Sequence, residues 1–80
     1  MTFTAHINVM PLKELLDPQG KAVMSGLKNL GINVNDVRIG KHITLQIEAA
    51  TKEEANQLAV DACQKLLANQ VMESFEVHIQ

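Results

Sequence analysis

The stretch from Val34 to Ala49, VNDVRIGKHITLQIEA, carries most of the topology. Val37 and Ile39 fall on one side of an extended segment over Val34–Lys41. Ile43, Leu45 and Ile47 fall on one side of a second, over His42–Ala49. A period of two is the signature of a strand with one buried face. Between the two segments, Gly40-Lys41 fits a two-residue type II′ hairpin, which places glycine first. This reading predicts two adjacent antiparallel strands.

Working outward, Phe3, Ala5, Ile7 and Val9 alternate with Thr4, His6 and Asn8, which predicts a strand ending near Pro11. Residues 11–16, PLKELL, read as a linker. Asp17 then stands at a helix N-cap and Pro18 at the first helical position. There the carboxylate can accept orphan N–H bonds, and proline has no N–H to lose. Val23, Leu27 and Leu30 recur at helical spacing, and Gly31 is the stop. Gly20, in the first turn, costs about 1 kcal/mol relative to alanine, which hints at a close approach by backbone or partner. Thr51-Lys-Glu-Glu54 is a capping box, with Thr51 at N-cap and Glu54 at N3. A second helix follows to about Ala68, with Ala55, Leu58, Ala59, Ala62, Leu66 and Leu67 as its apolar stripe. Ser74–Gln80 alternates again, with Phe75, Val77 and Ile79 inward.

The predicted order is β-α-β-β-α-β in one domain over residues 1–80, an α+β chain. Two helices on one face of a four-stranded antiparallel sheet make the ferredoxin-like arrangement. The uncovered face would carry Thr4, His6, Asn8, Arg38, Thr44, Gln46, Glu48, Glu76 and His78, a polar surface that a second protomer or a partner could cover. A domain of 80 residues buries a modest core, so oligomerisation is a reasonable expectation.

The composition excludes several function classes. Six lysines and Arg38 against nine carboxylates leave a formal charge of −2 with no basic block, which argues against nucleic acid. No apolar run approaches the roughly 20 residues of a membrane span. The N-terminus does not read as a signal peptide, and the single cysteine, Cys63, forms no CxxC pair. A reduced cytoplasmic setting is expected.

A search for chemistry finds no catalytic set and no metal set. His6, His42 and His78 lack a completing cysteine or carboxylate pair. Cys63 sits beside Ala59, Ala62 and Leu66 and reads as a small core residue. Met10, Met24 and Met72 read as core or edge fillers. The two aromatics, Phe3 and Phe75, both lie in inward registers, so no stacking platform for RNA is expected. Arg38-Ile-Gly-Lys41 concentrates positive charge at a strand end, where a surface salt bridge to Asp36 or Glu48 would be worth little. The residues alone describe a binding or assembly module.

Three motifs in order, LLDPQGKAV (Leu15–Val23), DVRIGK (Asp36–Lys41) and KLLANQVMESFEV (Lys65–Val77), carry a resemblance over essentially the whole chain. The chain resembles the PurS family, the small subunit of phosphoribosylformylglycinamidine synthase. Gln70 stands where the family usually has proline, which changes local stiffness before the last strand. The resemblance implies a place in purine synthesis, in an ATP- and glutamine-dependent ligase. A synthetase subunit would bind ATP and Mg²⁺, and a glutaminase subunit would release ammonia. This chain would be a dimer bridging the two, with no catalytic residue and no cofactor of its own. Gln19, Gly20 and Lys21 are then the first expected partner contacts, with Arg38, Gly40 and Lys41 the second, charged groups guiding assembly. An ACT-like module binding a small effector shares the topology and is the alternative.

Overall fold

In the computed structural model, residues 1–12 and 17–80 are described. The part of the predicted linker over residues 13–16 lies outside them. The elements are β1 (Thr2–Pro11), α1 (Pro18–Asn29), β2 (Lys41–Glu48), α2 (Lys52–Ala62) and β3 (Glu73–Ile79). A five-residue π-helical turn, Cys63–Leu67, extends α2.

Among the described residues the sheet has three strands in the order β2-β1-β3, both pairings antiparallel. Thr2 faces Glu48 and Val9 faces Lys41 on one side of β1, while Ala5 faces Ile79 and Pro11 faces Glu73 on the other. The alternation read from the sequence sets the two faces. Ala5, Ile7 and Val9 are fully buried and form the floor of the core. Phe3, Ile43, Leu45, Ile47, Phe75 and Val77 pack around them.

Among the described residues the four-stranded arrangement does not form. Residues 34–40 have no strand assignment, and β2 begins at Lys41. A type II′ turn needs positive φ at its first central residue. Gly31, at φ 82°, is the only described residue with positive φ, so Gly40 makes no such turn. Gly40 instead lies against the Val9 carbonyl and the Met10 sulfur, where a Cβ would collide. Arg38 accordingly leaves the open sheet face assigned to it.

The helices differ from the expected pair as well. α2 packs on all three strands, but α1 makes no comparable contact with any. The chain measures 51 × 24 × 15 Å, with a radius of gyration of 16.0 Å. A compact domain of this length would have about 12 Å. α1 is well made at both ends. Asp17 accepts the Gly20 N–H, and Pro18 opens the first turn. At the other end Gly31 N–H bonds the Lys28 carbonyl and Ile32 N–H the Leu27 carbonyl, a Schellman closure. Yet the only buried residue of α1 is Gly20.

α2 begins as predicted, with Thr51 Oγ1 accepting the Glu54 N–H at 3.1 Å. Its buried seam is Ala55, Ala59 and Cys63, all fully buried. Leu58 and Leu66, assigned to the apolar stripe, are exposed instead, Leu66 at 83%. Small residues let the helix axis approach the sheet, and the larger leucines stand on its outer flanks. Met72 is also exposed, and so is not a filler.

Candidate functional site: the junction at the start of α1

Asp17 is more than a cap. Its Oδ1 accepts the Gly20 N–H at 3.0 Å, and its Oδ2 accepts the Ile39 N–H at 2.8 Å. One carboxylate therefore ties the first turn of α1 to the segment leading into β2. The link to Ile39 spans 22 residues and leaves no local pattern in the sequence. Gly20 packs beneath the same segment. A Cβ there would strike the Val37 carbonyl and stand 2.7 Å from Asp17 Oδ2. Arg38 donates from Nη2 to the Pro11 carbonyl, rather than pairing with Asp36 or Glu48. Glu48 is taken by the N-terminal ammonium at 3.0 Å and by the Thr2 hydroxyl at 2.8 Å.

The junction thus gathers most of the residues expected to contact partners, but on two levels. Gly20, Arg38 and Gly40 are used inside the chain, holding the end of β1, the start of α1 and the entry to β2 together. Gln19, Lys21 and Lys41 are exposed around them. Beside the junction lies a cleft of about 460 Å³, lined among others by Pro11, Pro18, Gln19, Ile39, Met72 and Glu73. Sequence reasoning missed Pro11, Ile39 and Glu73 as members of this region.

Hydrogen bonds from the Gly20 and Ile39 amides, helped by the nearby Arg38 guanidinium, hold the Asp17 carboxyl below its ordinary value of 3.8. A carboxylate with a depressed folded pKa stabilises the fold at pH values above the unfolded value, and that contribution is lost as pH falls through the folded one. Acid should therefore loosen the junction below about pH 4. Denaturant midpoints measured across pH 2–6 in the parent and in Asp17→Asn should converge at the acid end. A parent curve that stays parallel to the variant's down to the acid end would show that Asp17 contributes nothing there.

The open face of the sheet is a polar ladder. Thr4 Oγ1 bonds Gln46 Oε1 at 3.2 Å, and His42 Nδ1 meets Asn8 Oδ1 at 2.7 Å. His6 Nε2 lies 2.7 Å from Gln80 Oε1, and His6 and His42 have ring centroids 5.6 Å apart. His78 is the cross-strand partner of His6, so the three imidazoles share one face. Among the described residues no group of three or more His, Cys, Asp or Glu is placed to hold a metal ion. Burial raises the Cys63 thiol, which suits a packed side chain and not a nucleophile. No helix of the described residues is long and apolar enough to cross a membrane.

Comparison with known proteins places this geometry. The family model described as PurS, phosphoribosylformylglycinamidine (FGAM) synthase, matches residues 4–80. The PurS subunit of FGAM synthase from Synechocystis is 43% identical over 75 residues, covering 92% of this chain and 75% of its own. The Bacillus subtilis PurS subunit is 44% identical over 71 residues, covering 86% of this chain and 83% of its own. A chain in the structure of PurLQS from Thermotoga maritima superposes with a TM-score of 0.93 at 34% identity, covering 100% of this chain and 99% of that one. The match extends across both the sheet and the protruding α1, and the chain belongs to the PurS family of phosphoribosylformylglycinamidine synthase.

Proposed function

We propose that this chain serves FGAM synthase as a coupling subunit without an active site of its own. Membership of the PurS family makes it a subunit of that enzyme of purine biosynthesis. The finer role is to hold the glutaminase and synthetase subunits together so that ammonia released at one site reaches the other. Ammonia is useful only if delivered before it is protonated or escapes, so a docked assembly that shields the path from water raises the yield of each glutamine. ATP and Mg²⁺ belong to the synthetase subunit in this scheme, and this chain binds neither. The setting is the cytoplasm, where the pathway's nucleotides are.

The observation that carries the proposal is the 51 Å length of so small a chain. A catalytic domain concentrates its residues around a pocket, whereas this chain extends a helix away from its core. The same feature supports a dimer. Val23, Leu30, Ile32 and Val34 lie on or just beyond α1 and are exposed, an apolar run that a second copy would cover. Gln19, Lys21 and Lys41 then offer exposed contacts to the larger subunits, on a junction shaped by Gly20, Arg38 and Gly40.

The test is synthase activity in a reconstituted mixture, with and without this chain, fed glutamine or ammonium. Glutamine-driven synthesis should need the chain, and ammonium-driven synthesis should need it much less. Lys21→Glu should weaken the glutamine reaction while leaving the chain folded. Equal rates with and without the chain, on both nitrogen sources, would refute the coupling role.

A further inference from the structure

The open face of the sheet carries two imidazoles that the coupling role does not use. His6 on β1 is opposite Thr44 of β2, and His42 of β2 is opposite Asn8 of β1, so the two histidines are diagonal neighbours on one face. Their ring centroids are 5.6 Å apart, with the planes tilted by 31°. Two imidazoles on one tetrahedral cation, with metal–nitrogen distances of about 2.0–2.1 Å, hold their centroids about 5 Å apart. The rings already stand near the spacing that one shared cation requires. His42 is exposed and His6 half-buried, so the pair is open to solvent.

Hydrogen bonds set which nitrogen of each ring is available. Asn8 Oδ1 lies 2.7 Å from His42 Nδ1, and Gln80 Oε1 lies 2.7 Å from His6 Nε2. An amide oxygen can only accept, so the hydrogens sit on His42 Nδ1 and His6 Nε2. His42 Nε2 and His6 Nδ1 keep their lone pairs. A metal-ligating histidine is oriented in the same way, its second nitrogen donating to an oxygen that fixes tautomer and ring. His42 Nε2 is also 3.4 Å from Thr44 Oγ1, and Thr44 is the residue opposite His6, so this lone pair lies on the His6 side of the ring.

We propose that His6 and His42 form a two-histidine site for a divalent cation of the zinc, copper and nickel group, bound through His42 Nε2 and His6 Nδ1. Asn8 and Gln80 are its positioning residues. Imidazole suits these metals, whereas Mg²⁺ takes oxygen ligands, so the site does not compete for the Mg²⁺ of synthesis. A structural zinc site takes four protein ligands; two leave positions to water, which makes this an exchangeable site on which the fold does not depend. The bound cation joins β1 to β2 and so stabilises the folded chain. His78 faces His6 from β3 and shares the surface, but stands outside the pair.

Titration of the full chain with Zn²⁺, followed by nitrogen NMR of the imidazole rings, tests this. Without metal the spectrum should show the Nδ1–H tautomer at His42 and the Nε2–H tautomer at His6. Zn²⁺ should shift His42 Nε2 and His6 Nδ1, saturating at one cation per chain, and Mg²⁺ should shift neither. His6→Gln and His42→Gln should each weaken Zn²⁺ binding at least about tenfold. Asn8→Ala should weaken it about tenfold with both imidazoles present, and should mix the His42 tautomers. Asn8→Asp, which keeps the acceptor oxygen, should retain the affinity, and His78→Gln should leave it unchanged. Zn²⁺ should raise the urea midpoint of the parent and not of His42→Gln. Ring nitrogens that do not respond to Zn²⁺, a response shared equally by all three histidines, or an affinity indifferent to Asn8→Ala would each overturn the site.

Discussion

A chain carrying Gly20→Ala is expected to lose about 3 kcal/mol of folding stability, although alanine is the better helix former. The added methyl would meet the Val37 carbonyl and the Asp17 carboxylate together. Both are fixed, the first as backbone and the second by its bonds to Gly20 and Ile39. Relief requires the junction to open, which also breaks the Asp17–Ile39 link. For a chain of this size the loss corresponds to a fall in melting temperature of about 15 °C. Gly26, in the same helix, is the internal control, because a Cβ there meets nothing within 4 Å. Gly26→Ala should therefore raise stability by about 0.5–1 kcal/mol. Chemical denaturation at one fixed protein concentration compares the two, since association would otherwise enter the result. Equal effects of the same sign would show that the close approach at Gly20 is not a constraint.

Ala59→Leu should be as damaging, despite exchanging one apolar helix former for another. Ala59 is fully buried between α2 and the sheet, in a cluster with Ala5, Ala49, Ala55 and Ile79. Three added carbons have no space there unless the helix lifts from the strands, and overpacking of this kind costs about 3 kcal/mol. Lifting α2 also loosens Cys63 against Ile7 and Val9 in the neighbouring cluster. Leu66→Ala removes a larger side chain from a more exposed place, so it should change the stability of the folded chain by less than about 0.5 kcal/mol. Urea midpoints for the two variants decide between a seam that selects small residues and one that tolerates any apolar side chain. A strongly destabilised Leu66→Ala would reverse the assignment of faces.

Much of this fold was legible because its signals are local. Alternation in Phe3–Val9, Ile43–Ile47 and Phe75–Ile79 marks the three strands, and Asp17, Thr51 and Gly31 mark helix ends by their own hydrogen bonds. Two readings failed for identifiable reasons. Val34–Lys41 has strand chemistry, but strand chemistry does not say where the partner strand is. The α2 stripe rightly includes Ala55 and Ala59, and Cys63 is the core residue expected, but hydrophobicity also put Leu58 and Leu66 on that face, whereas close helix–sheet contact selects for small size and leaves both leucines outside. The π-helical turn then shifts the phase of everything after Cys63. At the junction the sequence offered Asp17, Gly20, Arg38 and Gly40 singly. What unites them, the carboxylate bridge to Ile39 and the carbonyls of Pro11 and Val37, is long-range backbone geometry that no periodicity records.

The sheet order has a consequence for synthesis. β1, the first strand in the chain, is central, and its two neighbours come later, β2 after α1 and β3 after α2. A growing chain therefore makes the middle of its sheet first and one flank last. One edge of β1 stays unsatisfied until β3, which follows α2, has docked, so part of the sheet closes through contacts distant in sequence, which form slowly. A subunit that recognises all three strands together must therefore wait for β3 to dock on β1.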